Sequence, residues 1–195
     1  VNLSDTATTL VESAAFVLAL GYVLLSIRQV VLAWPLMIVS SLLYGLLFAA
    51  AKLYGQMTLQ AMFVAIAAWG WWQWKFGRKG EQPLAVSALP AHLRLWLAAA
   101  WLAAALLSAA GLARLTDAAA PWLDAFTTVG SLIAQLLTAR KYLEAWPAWI
   151  VVNAVSVALF IGQQLWLTAL LYAVFLLLSA AGWAAWRRDA QRKAA

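Results

Sequence analysis

Seven stretches of the chain stay apolar for about the thickness of a bilayer: residues 8–27, 34–51, 56–74, 93–113, 122–139, 146–162 and 165–186. A helix that crosses a membrane needs ~20 mostly apolar residues. Strands of a membrane barrel would be about half as long and would alternate strictly. These runs are too long and too evenly apolar for strands. The pattern predicts an all-α integral membrane protein with seven transmembrane helices. Pro35 and Pro147 fall at the start of the second and sixth runs, where a missing backbone donor removes no helical bond.

Shifted by 112 residues, the chain matches itself without a gap. Ala33-Trp34-Pro35 falls on Ala145-Trp146-Pro147, Gly70-Trp71 on Gly182-Trp183, Trp74 on Trp186, and Arg28 on Arg140. The repeat unit is three helices, giving one triplet at 8–74 and a second at 122–186. Between them lie 75–121, a loop rich in Gly, Pro and charge followed by an unmatched helix at 93–113; residues 187–195 form a basic tail. Three spans leave the chain on the far side of the membrane, so the odd helix returns it and both triplets run in the same direction. This is a 3+1+3, SWEET-like plan with parallel repeats, and it places the expected site near the midplane between the triplets.

Polar side chains inside such helices are costly unless paired or wet, so their faces matter. Thr127, Ser131, Gln135 and Thr138 recur at helical spacing on the fifth run, Trp146, Trp149, Asn153 and Ser156 on the sixth, and Thr168, Tyr172, Ser179 and Trp183 on the seventh. The first triplet is poorer. Val23 stands for Gln135 and Ser41 for Asn153, although Trp34, Ser41 and Tyr44 on the second run and Gln56, Gln60 and Trp71 on the third remain. Plainer uses exist for all of these. Small polar residues join helices, and tryptophans near helix ends anchor at the interface, the use expected for Trp74, Trp122 and Trp186. Asn153 and Gln135 resist the plainer reading, because a buried primary amide has both donors and acceptors to satisfy. Tryptophan faces favour planar rings and organic cations, and amides and hydroxyls favour carboxamide or ribose groups. The pattern suits a flat, heterocyclic, vitamin-sized solute.

Composition agrees. The 195 residues are 66% hydrophobic and 10% charged, against about 25% charged in soluble domains, and the mean hydropathy is +0.86. The net charge of +6 sits in the short loops, so it describes topology rather than a nucleic-acid surface. With the N-terminus outside, eleven basic residues face the cytoplasm and only Lys52 and Arg114 face out, which fixes the expectation of N-out and C-in. No early basic region precedes the first run, so that run is read as a retained helix rather than a leader. There is no cysteine and one histidine, His92, read as a loop or helix-end residue, so no metal site or cofactor is expected. No acidic residue lies mid-span and no phosphate-binding loop is present, so neither a proton relay nor ATP is expected to drive transport. Facilitated transport by alternating access is the economical reading, with loops 52–55 and 161–164 gating the outside and 28–33 and 140–145 the inside. A channel would need a continuous polar path, and a membrane enzyme a nucleophile, metal or acid–base pair. A sugar transporter of the same plan and a scaffold protein are the other rivals.

The run Thr127-Thr128-Val129-Gly130-Ser131, then Gln135, then Arg140 to Trp149, then Asn153, closely resembles the Pnu vitamin transporters. Their core pattern W-x-x-W-x-x-x-N is met by Trp146, Trp149 and Asn153. The likeness spans about 10–186 and includes Trp34-Pro35, Tyr44, Gly182-Trp183 and Trp186. It implies a transporter of the bacterial cytoplasmic (inner) membrane, not an enzyme. The PnuC-type branch carries nicotinamide riboside, and other branches carry thiamine or riboflavin. It also implies facilitated diffusion with trapping by a cytoplasmic kinase, and assembly of some members as homo-oligomeric trimers. Trp146, Trp149 and Asn153 would line the substrate site, with Gln135 and Thr127 close by. Nicotinamide riboside is the first expectation because the pattern ends in Asn, and thiamine the second.

Overall fold

Each apolar run folds as one helix, the form that closes its own backbone hydrogen bonds where water is absent. The computed structural model describes residues 5–50, 54–79, 82–115 and 120–194. Its helices are α1 (Asp5–Ile27), α2 (Ala33–Ala50), α3 (Tyr54–Phe76), α4 (Ala91–Leu115), α5 (Pro121–Ala139), α6 (Ala145–Gly162) and α7 (Trp166–Ala194). The expected bounds hold to within a few residues except at the end of α7, which continues through the basic tail. Among the described residues, five helices, α1, α2, α4, α6 and α7, are long and apolar enough to cross a membrane. In α3 the apolar run is diluted by Gln56, Gln60, Gln73 and Trp69, Trp71, Trp72 and Trp74, and in α5 by its stripe of hydroxyls and amide. Lys52, which entered the charge reading, lies outside the described residues.

The chain forms two compact units, Val1–Ala85 and Val86–Ala195. In the first, α2 packs against both α1 and α3. In the second, α6 packs against both α5 and α7, and α4 packs on α5. The linker helix, expected to stand between the triplets, therefore belongs to the second unit. The loop before it is also less open than its Gly and Pro content suggests. Two short strands, β1 (Arg78–Lys79) and β2 (Gln82–Pro83), pair antiparallel, and Ser87 forms a parallel bridge with Tyr142 in the α5–α6 turn.

The internal repeat is geometric as well as sequential. In the α1–α2 turn, N–H groups of Gln29, Val30, Ala33 and Trp34 donate to the carbonyls of Ser26, Leu25, Val30 and Val31. In the α5–α6 turn, Lys141, Tyr142, Ala145 and Trp146 donate to Thr138, Leu137, Tyr142 and Leu143, the same bonds 112 residues on. Gln29 and Lys141 occupy equivalent left-handed positions, with φ of 57° and 53°. The indole of Trp34 meets that of Trp74 edge-on at 5.3 Å and 88°, and Trp146 meets Trp186 at 5.4 Å and 87°. Each first indole lies against a glycine: a Cβ on Gly70 or on Gly182 would come within 2.4 Å of the ring. This overturns the interface reading of Trp74 and Trp186, which are 7% and 0% exposed. Their place near a helix end is set by the partner indole rather than by the bilayer surface. Trp122 is 54% exposed, in keeping with an interfacial position.

Candidate solute-binding site

The polar stripe of α5 faces inward in the second unit. Gln135 is fully buried, and Thr127 and Thr138 are buried with it, while Ser131 is half-buried. Two of the hydroxyls turn back on their own helix. Thr127 Oγ1 donates to the carbonyls of Leu123 at 2.9 Å and Asp124 at 3.1 Å, and Thr138 Oγ1 donates to Ala134 at 2.8 Å. Such local bonds satisfy a buried hydroxyl's proton and leave its lone pairs to accept. Thr138 uses this: its Oγ1 accepts from Trp149 Nε1 on α6 at 3.3 Å.

Asn153 lies one helical turn beyond Trp149, on the same face of α6. It is 4% exposed, and its Nδ2 donates to Ser179 Oγ of α7 at 3.1 Å. Ser179 Oγ in turn donates a hydrogen bond to Phe175 O at 2.7 Å. One N–H of the Asn153 amide is thus engaged within the unit, and its carbonyl oxygen can accept from a donor. Ser156 is buried one turn further along α6. Tyr172 of α7 is half-buried, with its ring 5.1 Å from Phe160 and 6.1 Å from Phe175. So α5, α6 and α7 bring Thr138 to Trp149 and Asn153 to Ser179.

Trp146 differs from its motif partners. It is 3% exposed, and it fills the space between Gly182 and Trp186. Trp34, 0% exposed, does the same in the first unit. Their Nε1 atoms are buried without a hydrogen-bond partner, so packing holds these rings. Also in the first unit, Tyr44 is half-buried and stacks on Phe48 at 6.1 Å and 20°. Gln60 is half-buried on α3, whose Cβ lies 3.7 Å from where a Cβ on Gly45 would stand.

Sequence reasoning missed Trp101. Its Nε1 donates to Phe126 O at 3.0 Å, and its ring stacks on Phe126 at 4.8 Å and 23°. A Cβ on Gly130 would collide with that ring, so Gly130 admits α4 close against α5, beside the polar stripe. The only sign in the sequence is that Leu18 takes the place of Gly130 in the first triplet. Among the described residues, no group of His, Asp or Glu is arranged to hold a metal ion.

A family model described as nicotinamide mononucleotide transporter matches residues 9–188. The nicotinamide riboside transporter PnuC of Escherichia coli (strain K12) is 26% identical over 176 residues, covering 77% of this chain and 74% of that one. The riboflavin/roseoflavin transporter RibM of Streptomyces davaonensis is 29% identical over 165 residues, covering 81% of this chain and 73% of that one. A crystal structure of the vitamin B3 transporter PnuC superposes with a TM-score of 0.75 at 26% identity, over 94% of this chain and 83% of that one.

Proposed function

This chain belongs to the nicotinamide mononucleotide transporter family, and from that premise we propose that it carries a vitamin-type solute, nicotinamide riboside first, across the bacterial cytoplasmic membrane by facilitated alternating access. The observation that supports the solute is the pairing of Trp149 with Asn153. An indole face attracts a flat cationic ring. One turn away, the Asn153 carbonyl is oriented by the bond from its own amide to Ser179 and accepts from a carboxamide. Gln135, Thr127, Ser131 and Tyr172 complete the polar lining of the second unit; Tyr44 and Gln60 supply that of the first. Trp146 and Trp34 serve the site by holding α6 and α2 in place. Riboflavin is the second reading, favoured by the likeness to RibM; its neutral ring would stack on Trp149 without the cationic attraction.

With seven spans the termini lie on opposite sides of the membrane, and the concentration of basic residues on one side supports an N-terminus outside and a C-terminus in the cytoplasm. The α1–α2 and α5–α6 turns then lie inside, and residues 161–164 outside. Of the other outer loop, 52–55, residues 52 and 53 fall outside the described residues. No coupling ion is required; a cytoplasmic kinase would trap the vitamin. The resemblance to a family with trimeric members supports a homotrimer as part of the same reading.

Calorimetric titration in detergent with nicotinamide riboside, thiamine and riboflavin tests the solute. Nicotinamide riboside binds most tightly, and Asn153→Ala weakens it about ten-fold or more through loss of the oriented acceptor. Parental affinity in folded Asn153→Ala and Gln135→Ala proteins would remove the site from the second unit.

A further inference from the structure

The α1–α2 and α5–α6 turns match bond for bond, yet between their shared Arg and Ala the sequences differ at four consecutive positions, Gln29 to Leu32 against Lys141 to Glu144. Tyr142-Leu143-Glu144 stand where the first triplet has Val30-Val31-Leu32. Together with Lys141 they receive the segment 86–90 that leads into α4. Ser87 N–H donates to Lys141 O at 3.1 Å, and Leu143 N–H donates to Ser87 O at 2.9 Å. Glu144 closes the attachment with both oxygens. Oε2 accepts from Leu89 N–H at 3.1 Å, and Oε1 pairs with Arg94 Nε at 2.9 Å. Arg94 Nε also donates to Leu89 O at 2.8 Å, so the carboxylate, the guanidinium and the Leu89 peptide form a closed ring. Glu144 is 17% exposed, sheltered enough for such charge-assisted bonds to count. At the equivalent position Leu32 is 57% exposed.

The bonds deliver the Leu89 side chain into a cluster with Ala134, Leu137, Ala145 and Ala148, against which Trp149, Trp101 and Tyr142 pack. Trp149 thus has two supports: Thr138 holds its Nε1, and the cluster completed by Leu89 backs its ring. The unit that carries the polar site is also the one that carries this attachment. At the positions of Trp149 and Asn153 the first triplet has Met37 and Ser41.

We propose that Glu144 is a positioning residue for solute binding: it latches residues 86–90 onto the α5–α6 turn and thereby fixes the Trp149 indole. This rests on the reading of Trp149 as a solute contact. Glu144 itself touches no solute. Truncating it lets Leu89 withdraw and leaves Trp149 free to adopt other rotamers, which lowers the fraction of protein ready to bind.

Three measurements on the full chain test the latch. Glu144→Ala weakens nicotinamide riboside binding about ten-fold. In liposomes it raises KM in step with Kd and leaves the maximal rate within about two-fold of the parent. Glu144→Gln keeps a carbonyl for Leu89 N–H and stays within about three-fold of the parent. Amide hydrogen exchange rises over 86–90 and 145–150 in Glu144→Ala and is unchanged over 28–34. Arg94→Ala, which removes one side of the ring, moves the same quantities in the same direction by less, and it serves if Glu144→Ala does not fold. Parental affinity in Glu144→Ala, or unchanged exchange over 86–90, overturns the proposal. If the parent binds none of the three vitamins, the functional reading fails, and exchange alone then judges the latch: increased exchange over 145–150 keeps it, and unchanged exchange removes it.

Discussion

Gly70 and Gly182 each lie against an indole, and the contact leaves no room for a methyl group. The ring cannot retreat, because its other contacts include the edge-on tryptophan of the following helix. Gly182→Ala is therefore expected to destabilise the protein by about 1–3 kcal/mol through overpacking, seen as a lower unfolding temperature in detergent. Gly111→Ala is the control: nothing lies within 4 Å of its added carbon, and a helix gains up to about 1 kcal/mol from the exchange. If both variants unfold at the same temperature, the wedge is not what holds the triplet. The repeated Gly and Trp were visible in the sequence. Their contact was not, because hydropathy reports how apolar a residue is and not which residue it touches. Trp74 and Trp186 show the consequence, since proximity to a helix end is shared by interface anchors and by rings buried against another helix.

The elements were legible because runs of apolar residues in a membrane have one way to satisfy their backbones. The turns were less so. Gln29, Lys141 and Gln164 all carry positive φ, a conformation unfavourable for side chains with a Cβ by about 1–2 kcal/mol, and none is the glycine or asparagine that would have announced it. Gln164 is exposed between α6 and α7. Gln164→Gly should thus raise stability by up to about 1 kcal/mol, measurable as a higher unfolding temperature; a lower one would mean that its side chain supports the turn. The segment 86–90 lies in a linker, 75–92, that reads as a loop from its glycines, prolines and charges. It is ordered by a carboxylate 55 residues away in the chain, a relation that no local pattern encodes. The polar stripes of α5 and α6 were legible as faces, and the structure adds which partner each takes.

At the scale of the whole molecule, the distribution of basic residues predicts which side each turn faces, and the absence of cysteine makes the prediction simple to test. A single Gln163→Cys should react with a membrane-impermeant maleimide on intact cells, and a single Arg140→Cys only after permeabilisation. The opposite pattern would invert the topology. The unit boundary after Ala85 was not legible, since the unmatched helix has no periodic sign of its neighbour; Trp101 on Gly130 decides it. One feature of both units also has an optical consequence. Two indoles a little over 5 Å apart and nearly perpendicular couple their electronic transitions, so each pair contributes an exciton couplet to the far-ultraviolet circular dichroism on top of the helical bands. Trp74→Phe and Trp186→Phe would each remove one couplet while leaving the helices intact, so the protein carries a separate built-in optical report on the packing of each triplet.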